Sequence, residues 1–107
     1  MNDQDYIRKA VELADGWEFI GVSVICSPSM TYVGGTAMPE CLDALAAQLV
    51  RQVDAKMGVS IRIVSGAAEI RVVMMMACSS RTTETFGPDR TMNTIKAIVD
   101  SGVLEHG

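Results

Sequence analysis

Apolar positions along this chain follow two periods, and the switches between them mark out its elements. From Pro39 to Met57, Leu42, Leu45, Ala46, Leu49, Val50, Val53 and Met57 recur at steps of three and four, while Asp43, Gln48, Arg51 and Asp54 fall on the other side. This is the stripe of an amphipathic helix, which must be buried against something. Pro39 suits the first helical position, Glu40 favours the positive end of the helix dipole, and Gly58 suits a left-handed cap. The same spacing predicts a helix over residues 3–15. Asn2 or Asp3 caps it, Tyr6, Ile7, Ala10, Val11, Leu13 and Ala14 form its apolar side, Gly16 ends it, and Trp17 packs back on its last turn. A last helix is predicted at about 90–101, with Asp89 as cap, Met92, Ile95, Ile98 and Val99 as apolar side, and Gly102 at its end.

Elsewhere the period is two. Trp17 to Cys26 reads as one strand, with Ile20, Val22, Val24 and Cys26 facing one way and Trp17, Phe19 and Ile25 the other. Ser27-Pro28-Ser29 is a turn signal, Met30 to Val33 a short strand pairing back, and Gly34-Gly35 a break before the long helix. Val59 to Ser65 is a further strand, followed by a turn at Gly66-Ala67-Ala68 and a strand from Glu69 to Cys78. From Val72 onward that strand has no polar residue on either face, so it belongs mid-sheet with both faces covered, the long helix being one cover. Residues 79–88 read as a polar loop. The expected fold is α+β: a mostly antiparallel three- to four-stranded sheet with three helices, α/β/α sandwich-like, in the order α-β-(β)-α-β-β-α.

The 107 residues form one domain with a frayed end, large enough for a core without metal or disulfide support. Nine basic and thirteen acidic side chains give a net charge of −4, which provides no footprint for nucleic acid or an anionic membrane. The longest apolar run, Val72 to Cys78, is too short to span a bilayer, and no basic-then-apolar leader opens the chain. Cys26, Cys41 and Cys78 are odd in number and widely spaced, which fits buried thiols in a reducing cytoplasm.

Catalytic chemistry finds little support. His106 is the single histidine and lies in the tail, leaving a Ser or Cys nucleophile without a placed base. There is no cluster with metal-ligand spacing, and no cofactor motif. Cys78-Ser79-Ser80-Arg81 lacks the spacing of a phosphatase loop, since Glu84 stands sixth after Cys78. Gly34-Gly35-Thr36 lacks a P-loop lysine, and Glu40 repels an anion there. The eight methionines, Met74-Met75-Met76 among them, are read as core filling.

The arginines are the candidate site. Matching the apolar faces of the last two strands pairs Ile61 with Val72 and Ile63 with Ile70, setting Arg62 opposite Arg71. Like charges so placed destabilise a sheet and require compensation. A local carboxylate such as Glu69 or Glu18 supplies it, or else a partner's carboxylates or a bound anion do. Arg81, in the hydroxyl-rich segment Ser79 to Phe86, joins Arg62 and Arg71 as a partner- or anion-binding candidate.

Three segments, Tyr6 to Trp17, Leu42 to Ala55 and Asp89 to Leu104, together resemble small uncharacterised proteins of tailed bacteriophages and prophages. They cover about 40 of the 107 residues and fall on the predicted helices. The resemblance implies residence in the cytoplasm of an infected bacterium and brings no catalytic residues with it. The first expectation is therefore a non-enzymatic accessory protein that binds a host or phage protein and self-associates as a homodimer. Inhibition of a bacterial defence such as a CRISPR effector is one form of that activity. The alternative is sequestration of a small anionic ligand, such as a signalling nucleotide, by Arg62, Arg71 and Arg81.

Overall fold

The computed structural model of the chain describes residues 2–56, 59–64, 67–74, 79–85 and 89–105, the strands between 59 and 85 through their backbone pairing. The class is α+β: three helices with antiparallel sheet. Helix α1, Asp3–Leu13, opens with a reciprocal capping box. Asn2 Oδ1 accepts from the Asp5 amide at 2.9 Å, and Asp5 Oδ2 accepts from the Asn2 amide at 3.2 Å. The chain leaves α1 through Gly16 at φ +81°, and the Trp17 amide donates back to the Ala14 carbonyl at 3.2 Å. A side chain at position 16 is strained twice, by that left-handed backbone and by Pro28 Cγ, 2.8 Å from where its Cβ would stand.

The expected strand from Trp17 to Cys26 is instead two. β1, Glu18–Ile20, and β2, Val24–Cys26, form a hairpin closed by the pair Ile20↔Val24, with Gly21 at φ +65° in the connection. β3, Thr31–Tyr32, pairs antiparallel with β2, so the short returning strand is present. The Ser27 hydroxyl stabilises its turn by accepting from the Ser29 and Met30 amides. A 3-10 turn at Gly35–Ala37 leads into α2, Pro39–Asp54. Gly35 is buried, and a Cβ there would lie 3.1 Å from both Ile25 and Cys41 Sγ.

β4, Val59–Val64, β5, Ala67–Met74, and β6, Ser79–Thr85, form a second three-stranded antiparallel sheet in that order. The chain ends in α3, Arg90–Ser101, capped by Asp89 and closed by Gly102 at φ +69°. Two expectations change here. One sheet becomes two, and the polar loop at 79–88 contains a strand. The segment β5 lies mid-sheet as expected; the 75–78 end of the apolar run, Gly58 and His106 lie outside the described residues.

The helices pack on one another. α3 touches α1, α2, β5 and β6, whereas α2 touches α1, α3, the 3-10 turn and the border strand β4. The element against the central strand is thus α3 rather than the long helix. The largest fully buried side chains among the described residues are Val11, Ile25, Cys41, Leu45, Leu49, Val53, Ile95 and Ile98. They come from all three helices and from the inner face of the first sheet. Polar ties hold the helices in place. Gln52 of α2 donates to the Leu13 carbonyl and accepts from the Asp15 amide, while Thr91 of α3 donates to Asp43 of α2 at 2.6 Å. Tyr6 of α1 donates to Asp100 of α3, which raises the Tyr6 pKa above its ordinary value, the hydrogen bond being the main cause. Lys96 of α3 pairs with Asp3 of α1 at 2.8 Å.

Candidate functional site

The second sheet places the three candidate arginines on different strands: Arg62 on β4, Arg71 on β5 and Arg81 on β6. The register corrects the expected opposition of Arg62 and Arg71. Observed partners are Arg62↔Glu69, Ser60↔Arg71 and Ile61↔Ile70, two residues away from the expected pairing. On the other side of β5, Arg71 stands opposite Thr82, Glu69 opposite Glu84, and Val72 opposite Arg81.

Cross-strand partners share a sheet face, and faces alternate along each strand. Positions 62 and 71 therefore lie diagonally on one face with Glu69 and Glu84, and position 81 lies on the other face. The sheet brings two of the three arginines to one side and keeps the third apart. The register partner of Arg62 is Glu69, one of the two carboxylates named in the sequence.

The first sheet presents a different surface. Its inner row, Phe19↔Ile25↔Tyr32, faces the core. Arg8 of α1 stands over the Phe19 ring at 4.3 Å and covers that side. The outer row starts from the pair Ile20↔Val24. Ile20 is 48% exposed, Val22 in the hairpin turn 83%, and Val33 just after β3 78%. The Gly35 amide donates to the Ser23 carbonyl at 2.8 Å, which holds the Val33–Gly34 stretch beside the Val22–Ser23 turn. Three large aliphatic residues are thus exposed at the same end of one small sheet. Sequence reasoning placed Ile20 and Val22 together on a face; it did not single out that end as a surface.

At the opposite end of that sheet, the 27–29 turn and α2 enclose a cleft with a volume of about 240 Å³. Trp17 and Tyr32 form one wall, their rings stacked at 13° with centroids 6.3 Å apart. Ala44, Gln48 and Arg51 of α2 form the facing wall, at helical spacing. The signal available in the sequence was Arg51, a cation on the polar side of the helix, and Trp17 after the Gly16 break. Cys41, also on α2, is fully buried, and burial pushes its thiol up to about 11.

Among the described residues no three His, Cys, Asp or Glu side chains gather as metal ligands, and no helix is long and apolar enough to cross a membrane. No family model matches the chain, and no curated protein or solved structure matches it.

Proposed function

We propose that this chain is a non-enzymatic accessory protein that acts by docking onto another protein through the outer end of its first sheet. The observation that carries this reading is the joint exposure of Ile20, Val22 and Val33. Burying a side chain of this kind is worth roughly 1.5–3 kcal/mol, so leaving three together in water is costly unless a partner covers them. Charge favours a different protein over a second copy. Glu18 shares the outer face with Ile20, and each copy carries a net charge of −4, so self-docking sets like charges together while a partner with a basic rim gains. A homodimer through the same surface is the competing arrangement.

A host or phage protein as partner, and the cytoplasm of an infected bacterium as the place, rest on the sequence resemblance of the helical segments alone. Inhibition of a defence system such as a CRISPR effector is one action of that kind. Anion capture by Arg62, Arg71 and Arg81 has less behind it, because Glu69 stands opposite Arg62 and position 81 faces away from the other two.

The test uses the Val22→Glu/Val33→Glu variant. Both positions are exposed, so circular dichroism and melting should match the parent. Parent protein immobilised in lysate of infected cells should retain a defined partner that the variant does not. Equal retention by both, with the fold intact, overturns the docking surface. Sedimentation of the parent alone decides between a foreign partner and a homodimer.

A further inference from the structure

We propose that the cleft between Trp17, Tyr32 and α2 is a binding site for a small aromatic carboxylate. It is separate from the docking surface, at the other end of the same sheet, and stands or falls independently of it. Three observations converge on this ligand class. First, Tyr32 is only 7% exposed, and among the described residues its phenol has no hydrogen-bond partner. No fully buried side-chain oxygen among the described residues lacks a partner, so the Tyr32 hydroxyl reaches solvent, and the cleft is the opening its ring lines. Second, among the described residues Arg51 is the single charged one lining the cleft, and its guanidinium has no carboxylate partner there. A guanidinium fork and a phenol O–H are the donors that a carboxylate takes. Third, the Trp17 ring, Pro28 and Ala44 give the cleft a flat apolar part, beside the polar Ser27, Ser29 and Gln48.

Size and charge narrow the class. The 240 Å³ volume lies below the roughly 300–1,000 Å³ of sites for drug-sized ligands, and above the roughly 150 Å³ that holds one benzene. One ring with a short acidic group fits between these limits. One guanidinium on an acidic protein balances a monoanion and leaves a phosphate dianion uncompensated. Ser27 adds little, because its hydroxyl is engaged by its own turn.

Trp17 is the single tryptophan, so its fluorescence reports on this cleft alone. Titrating the full chain with benzoate should give a saturable change, and the neutral isostere benzamide should bind about tenfold more weakly, the loss expected for one charge-assisted hydrogen bond. Arg51→Gln, at an exposed position, should weaken benzoate by about tenfold while leaving benzamide unchanged. Tyr32→Phe should weaken both ligands. No saturable change up to about 10 mM benzoate, or equal benzoate binding by Arg51→Gln, overturns the site. Tighter binding of phenyl phosphate than of benzoate overturns the monoanion assignment. Tighter binding of a peptide ending in phenylalanine overturns the small molecule in favour of a partner's terminus.

Discussion

Helices α2 and α3 carry similar apolar spacing and are buried differently. α2 buries five of its sixteen residues, Cys41, Leu45, Ala46, Leu49 and Val53, along a narrow stripe. α3 buries eight of twelve, adding Asn93, Thr94, Ala97 and Ser101 to the apolar side that its pattern predicts. The extra burial is affordable because these residues are small or bring their own partners. Thr94 Oγ1 donates to the Arg90 carbonyl at 2.9 Å, and Ser101 Oγ to the Ile98 carbonyl at 2.7 Å. A short helix whose non-stripe positions hold Thr, Ala and Ser can be enveloped, with α1 and α2 against part of it and β5 and β6 against the rest. α2 keeps a solvent face, and Arg51 of the cleft lies on it. The longer helix therefore supplies the candidate site, and the shorter one holds the elements together.

Truncating a fully buried side chain of α3 is the strongest way to break this comparison. Ile95→Ala should cost about 2–5 kcal/mol in urea unfolding, well above Leu42→Ala on the half-buried flank of α2. Equal losses would mean that α3 is no more enclosed than α2. Enlarging a non-stripe position sharpens it further. Ala97→Leu should cost about 1–3 kcal/mol through overpacking, while Ala47→Leu, on the exposed side of α2, should stay within about 0.5 kcal/mol. The smallest effect concerns how deeply the α2 stripe is set. Burial pushes the folded Cys41 thiol up to about 11, from an ordinary value of about 9. Below pH 9 both states hold the proton and the thiol adds no pH dependence. Between 9 and 11 the unfolded chain releases it first, so stability falls as pH rises. Cys41→Ala should flatten that part of the pH profile, and an unchanged slope would place the thiol in contact with water.

The helices were legible from spacing and caps: the expected 3–15, 39–57 and 90–101 compare with Asp3–Leu13, Pro39–Asp54 and Arg90–Ser101. The strands were less so, for identifiable reasons. Ser79–Thr85 has no apolar residue, and hydroxyls read as loop; the β-branched Thr82, Thr83 and Thr85 were the signal for a strand. Trp17 to Cys26 was read through Gly21, whose positive φ turns the chain into a hairpin. The second-sheet register was misplaced by two residues, a slip that period-two patterning does not detect because it keeps every residue on its face. That slip alone set Arg62 opposite Arg71 instead of Glu69. Of the cleft, only isolated parts were visible, because Trp17, Tyr32 and Arg51 come from three separate segments that the fold brings together.

Hydrogen exchange of the intact chain tests the enclosure of α3 most directly. Amides from Met92 to Ser101 should exchange only through global unfolding, with protection that tracks the urea-derived stability of each variant, while amides on the solvent side of α2 open at lower cost. Exchange across α3 as fast as that of α2, or insensitive to Ala97→Leu, would contradict the account.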